Sequence, residues 1–175
     1  MRMEGRIADG VYIGATPPEV LEDAIVNINK GKKKRLESNE EIFINSFWAW
    51  HIKSNRDEAF QESRRELAWR ARKLEKSLLQ HYFTDEECDL ITENFESFVD
   101  AYFDRSGDIR DVDIEIANKL CKVFTSTGDL SDLESEIKRF KEFEMMGQTH
   151  LSLRLHDNPK DALDIIGKEV MPHFK

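Results

Sequence analysis

Apolar and polar positions fall into blocks along this chain, and each block carries the period of one kind of element. Val11-Tyr12-Ile13 is a short β-prone run closed by Gly14 and Ala15. Thr16-Pro17-Pro18-Glu19 then has the chemistry of a helix start, with Thr16 as cap, Pro17 at the first helical position and an acid three residues after the cap. Val20, Leu21, Ala24, Ile25 and Ile28 recur at helical spacing, and Gly31 is the expected terminator. From Ile42 to about Trp50 the chain is almost continuously apolar and β-prone, which suits a strand buried on both faces of a parallel sheet.

Ser54 or Asn55 opens a long helix expected to run through Tyr82, with Phe60, Leu67, Ala71, Leu74, Leu78 and Tyr82 on one face. A second helix opens at Thr84, with an acid three residues on, and carries Ile91, Phe95, Phe98 and Tyr102. Arg105-Ser106-Gly107-Asp108 breaks it. A third helical stretch covers roughly Val112 to Phe124, followed by a loop at 125–129. Ser131 with Glu134 reads as a capping box for a helix ending at Met146-Gly147. The last strand is Leu151 to Leu155, and Asn158-Pro159-Lys160-Asp161 opens a final helix through Val170.

Strand–helix pairs in this order imply an α/β fold with a parallel sheet, in a single domain over 1–175. No strand is expected between Thr84 and Phe124, so 84–124 reads as a helical insertion before the last strand. Three parallel strands leave both sheet edges open. The chain therefore belongs to a larger barrel, or completes its sheet as a homodimer or with a partner chain.

Composition narrows the function classes. The chain has 175 residues, 39% of them hydrophobic, and a formal net charge of −9, which argues against a phosphate-binding face and so against nucleic acid as a partner. The run Lys30 to Arg35 reads as a solvated face near a helix C-terminus. No apolar run approaches the length of a membrane span and no secretory leader is evident, so a cytoplasmic protein without membrane contact is expected. Cys88 and Cys121 make neither a disulfide framework nor a zinc spacing and read as small buried hydrophobes, and no metal is expected. The nucleophile-elbow, zincin, P-loop and dinucleotide-binding motifs are all absent.

Gly5-Arg6-Ile7-Ala8-Asp9-Gly10-Val11 resembles the segment leading into the sixth strand of luciferase-like monooxygenases and F420-dependent reductases. Asn55-Arg56-Asp57-Glu58-Ala59 is similar to that family's helix opening after the seventh strand. Thr127-Gly128-Asp129, Met146 to Leu151, and Lys168 to Pro172 resemble later segments in the same order. The resemblance implies a partial TIM barrel made of the last three βα units, with the first five strands lying outside this chain. It implies an oxidoreductase using FMN or coenzyme F420, weak or inactive alone. A non-catalytic structural or cofactor-binding protein derived from the same barrel is the alternative.

A barrel places its site at the C-terminal strand ends, here near Gly14-Ala15, Trp50-His51 and Leu155-His156. Gly10, Gly14 and Ala15 are the candidate cofactor-binding positions. Glycine permits close backbone approach of a ligand, although a turn glycine explains Gly14 equally and Asp9-Gly10 reads as a tight turn. His51 and His156 each follow an apolar strand and are candidate acids or bases, or else structural histidines. Trp48 and Trp50 share one strand face and read as packing residues rather than a ring-stacking platform. No catalytic residue is assigned.

Overall fold

The structure is a computed structural model that describes residues 1–14, 16–35, 41–68 and 74–174. The chain order begins α1 (Arg2–Ile7), β1 (Gly10–Ile13), α2 (Pro18–Lys32), β2 (Phe43–Ile52) and α3 (Arg56–Glu66). It continues with α4 (Lys76–Leu79), α5 (Asp85–Glu93), α6 (Phe95–Phe103), α7 (Ile114–Phe124) and β3 (Ser126–Gly128). It closes with α8 (Leu133–Met146), β4 (His150–Arg154) and α9 (Pro159–Ile165), which runs into a π-helical turn at Ile166–Val170. No helix among the described residues is long and apolar enough to cross a membrane.

All strand pairs are parallel, and β2 is the centre. Its first half pairs with β1, its middle with β4, and its last three residues with β3. The period of two sorts its side chains cleanly. Ile44, Trp48, Trp50 and Ile52 join Val11, Ile13, Leu151 and Leu153 against α2 and α8. Trp48 meets the Phe143 ring edge-on at 5.4 Å between centroids, so both tryptophans are core residues. Phe43, Asn45, Phe47, Ala49 and His51 take the opposite face. On that face Phe43 is 41% exposed and Tyr12 59%, while Phe47 is half-buried; Ile42 and Ile44 are each only 4% exposed.

A second core lies among α3 to α7. It gathers Phe60, Leu79, Cys88, Ile91, Phe98, Leu120, Cys121 and Phe124. Both cysteines are fully buried, as expected for small hydrophobes. Thr84 and Glu87 make the reciprocal cap that opens α5.

Several local expectations are corrected. The helix from Asn55 does not run unbroken to Tyr82: α3 ends at Glu66, α4 is a separate short helix, and Ala71 lies outside the described residues. Thr16 does not cap α2, which starts one residue later with Pro17 as N-cap and Pro18 at the first helical position. The capping pair before α8 is Asp129 with Asp132, on a 3-10 turn, rather than Ser131 with Glu134. The loop expected at 125–129 contains the buried strand β3. Its hydroxyls hide it from an apolar pattern. They satisfy one another instead, with Thr127 Oγ1 donating to Ser63 Oγ at 2.8 Å and Thr125 Oγ1 to the Cys121 carbonyl at 2.6 Å.

The N-terminal helix α1, not foreseen from the pattern, explains two more residues. Gly31 does not end α2; it lies inside the helix, where a Cβ would strike the Arg2 carbonyl, and a Cβ on Gly5 would strike the Ile28 carbonyl. The two helices cross backbone to backbone at these glycines. Arg35, the last of the basic run, is structural too: its guanidinium donates to the Gly5 and Ala8 carbonyls and so caps the end of α1. We expect Gly31→Ala to cost about 2 kcal/mol or more by overpacking this crossing, read as a lower urea midpoint with an unchanged slope.

Candidate active site

Gly14, His51 and His156 follow or end β1, β2 and β4, so parallel pairing brings all three to one edge of the sheet. Helix α3 closes over this edge. Asn55 caps it, accepting from the amides of Asp57 and Glu58 at 2.9 and 3.3 Å. Arg56 then anchors its first turn, donating at 2.7 Å to both Asp129 and Asp132. Ser131 and Arg56 together hold the Asp129 carboxyl down at about 2.

Four residues further along α3 than Glu58, the helix presents Glu62, and four beyond that Glu66. This spacing puts both carboxylates on one face. Glu62 accepts from His51 Nδ1 at 2.8 Å and pairs with Lys53 at 2.6 Å. Glu66 Oε1 lies 3.5 Å from His156 Nδ1, and its other oxygen lies 3.6 Å from Arg154. The two imidazoles stack at 4.7 Å between centroids with 21° between planes. Arg65 completes the group, pairing with Asp157 at 2.9 Å and with Glu66 at 3.4 Å.

Burial pushes Glu62 upward, but His51 and Lys53 outweigh it and hold the carboxyl below its ordinary value. Burial likewise raises Glu66, and His156, Arg154 and Arg65 together pull it below. Both carboxylates are therefore ionised in a nearly closed site.

Two cavities flank this cluster. One, of about 570 Å³, is lined by Trp50, Lys53, Asn55, Gln61, Asp157 and Asn158 among others. The other, of about 720 Å³, reaches from Gly14 and Thr16 past Phe47 and Ala49 to Arg154. His156 belongs to both walls. Two buried polar atoms on the second cavity, Thr16 Oγ1 and His156 Nε2, have no hydrogen-bond partner.

The candidate glycines separate. Gly14 stands on the larger cavity with open space where a side chain would go. Gly10 begins β1 at the far end of the strand, where a Cβ would crowd Phe43 at 3.1 Å, so it does not share a rim with Gly14. Ala15 lies outside the described residues. His51 and His156 meet as the strand-end argument requires. Glu62, Glu66 and Arg65 were missed from sequence, because an amphipathic reading assigns charged positions of α3 to solvent. The signal was present in the i, i+4 pair of acids on the helix that follows the strand-end His51.

Ionisable residues gathered beyond the carboxyl ends of parallel strands are the arrangement of an α/β enzyme site. The 5,10-methylenetetrahydromethanopterin reductases of Methanopyrus kandleri and Archaeoglobus fulgidus are each 24% identical over 177 residues, which is 100% of this chain. The match takes in 48% and 51% of their lengths, so this chain spans about half the length of these relatives. The solved coenzyme F420 dependent tetrahydromethanopterin reductase of Methanopyrus kandleri superimposes with a TM-score of 0.74 at 23% identity, over 99% of this chain and 48% of that one. No family model matches. The likeness to F420-dependent, luciferase-like reductases read from the sequence is borne out over the full chain, and the α/β fold is that of the reductase structure.

The depressed carboxylates set an acid limit. The unfolded chain takes up these protons near the ordinary value of 4.5 and the folded chain only below it. Their stabilisation is complete above that value and is lost as pH falls through the lower, folded one. Glu62→Gln is expected to lose roughly 2 kcal/mol near neutrality. It should also flatten the fall of stability as pH drops below the ordinary carboxylate value of 4.5, as followed by urea unfolding at each pH.

Proposed function

We propose that this chain is part of a coenzyme F420-dependent oxidoreductase of the luciferase-like kind and supplies the last three βα units of its barrel, with the helices at 84–124 as an insertion. The observation that supports this most directly is coverage: the whole chain aligns with about half of two reductases, and a structure carrying the name of an F420-dependent one shares its fold. The rim residues fit a ring-bearing cofactor. Gly14 leaves open space, Phe47 and Ala49 give an apolar wall, and Thr16 and His156 offer unpartnered polar atoms on one cavity.

Gly14 would lie against the cofactor, with Thr16, Arg154 and His156 providing polar contacts. The bound deazaflavin would supply the hydride acceptor or donor. The chain's own groups bind, orient and exclude water, as α3 does by closing over the strand ends. The test is direct. Protein mixed with F420 or with FMN, then freed of unbound cofactor, should retain F420 stoichiometrically and FMN weakly. Loss of both would favour a non-catalytic derivative of the barrel. Turnover by the chain alone is expected to be weak or absent, and a rate equal to that of a complete reductase would overturn the partial-site reading.

The edges of the sheet support a partner. β1 and β4 each pair with β2 alone among the described strands, and Tyr12 and Phe43 stand exposed beside them. We propose self-association through this face, or binding of a chain that completes the sheet. Light scattering at micromolar protein should give a dimer mass that Phe43→Arg converts to a monomer. A single-chain mass without concentration dependence would reject self-association.

A further inference from the structure

We propose that His156 is the proton-accepting contact of this site, taking a hydrogen bond at Nε2 from an N–H or O–H group of the ligand in the cavity beside Gly14. The identity of that ligand rests on the cofactor reading above; the state of the imidazole does not. The side chain of His156 is 7% exposed. Glu66 Oε1 lies 3.5 Å from its Nδ1, and its ring stacks on the face of His51. Nε2 is buried, has no partner, and belongs to a residue lining both cavities.

The charge on Glu66 decides the tautomer. Its carboxylate is ionised, so it only accepts hydrogen, and at 3.5 Å from Nδ1 it favours the ring form that carries the hydrogen on that nitrogen. The neutral ring then carries a bare lone pair at Nε2. A buried acceptor without a donor is costly, and a ligand donor removes that cost. The groups facing the ring are Glu66 and Arg65 from α3, His51 from β2, Arg154 from β4, and the neighbouring Asp157. If the shared proton passes across, the ligand atom keeps the bonding pair as an anion. The imidazolium formed lies between that anion and Glu66, and no electron changes hands. Thr16, with its own unpartnered hydroxyl on the same cavity, can donate to an acceptor on the same ligand. The class of ligand is thus a planar ring bearing both a hydrogen-bond donor and an acceptor.

Long-range proton–nitrogen spectra of the histidine-labelled, ligand-free protein read the tautomer. His156 should appear protonated at Nδ1 and bare at Nε2, and Glu66→Gln should shift the hydrogen toward Nε2. A native ring protonated at Nε2 overturns the proposal whether or not F420 binds. In the second arm, F420 is titrated by its fluorescence. His156→Gln should weaken binding at least about tenfold, and binding of F420 should move the Nε2 resonance in the native protein. Native-strength binding by the variant overturns the proposal. Failure of the native protein to bind F420 sinks the cofactor reading instead, and the tautomer still decides the assignment of His156.

Discussion

Strand β2 is paired along both flanks and packed on both faces, and the rest of the structure is arranged by that constraint. Its register is what makes the constraint strict, because a slip by one residue would exchange the two faces. Trp48 and Trp50 would then leave the α2–α8 core, and His51 would enter it. The indole of Trp48 adds a polar lock. Its Nε1 donates to Ser126 Oγ at 2.9 Å, Ser126 donates to Glu136 at 2.6 Å, and Arg139 pairs with Glu136 at 3.0 Å. Burial raises the Glu136 carboxyl, so this network holds its acid at a cost that Arg139 and Ser126 offset. Through it, β3 and α8 are tied to the face of β2 that must stay turned toward the helices.

The opposite end of the same strand carries the ionisable residues. A cluster of two histidines, two glutamates and two arginines at the rim is a poor way to stabilise a fold, since well-packed apolar residues of the same volume often do as well or better. The cluster also leaves His156 Nε2 unpartnered on a cavity, which a purely structural ion-pair group would avoid. Both features fit the proposal that the cluster is arranged to receive a ligand. Helix α3 is the instrument. Its cap at Asn55 and its clamp at Arg56 fix where Glu62 and Glu66 fall, and these in turn fix both imidazole rings.

How far the sequence could be read depended on which physical signal each element carried. The central strand was legible because its apolar run is long and β-prone. Helices with reciprocal caps, such as that opening at Thr84, were legible from side chains alone. Strand β3 was not, because its stability comes from hydroxyls that satisfy one another in a buried setting, and such residues read as a turn. Gly31 was misread because a glycine near a helix end serves equally as a terminator or as a crossing point, and only α1 on its far side decides between them. At the site, Gly14, His51 and His156 could be placed at strand ends, since parallel topology alone puts them there. Their partners on α3 could not. A charged helix position shows nothing in sequence of whether water or a histidine faces it.

The face of the sheet turned away from α2 and α8 is divided along its length, and the division bears on association. Toward the C-terminal strand ends it is closed, with Ala49 and His51 each 1% exposed beneath α3. Toward the N-terminal ends it is open, where Tyr12 and Phe43 reach solvent and Phe43 lies 4.0 Å from the His150 ring, centroid to centroid. The apolar surface proposed for a partner and the polar rim proposed for a ligand are therefore at opposite ends of the same strands. A second chain seated against Tyr12 and Phe43 would bury the first without occupying the second. Binding of a ligand beside Gly14 and binding of a partner at Phe43 are thus separable by position. The link between them is β2, whose backbone runs from the open end to His51.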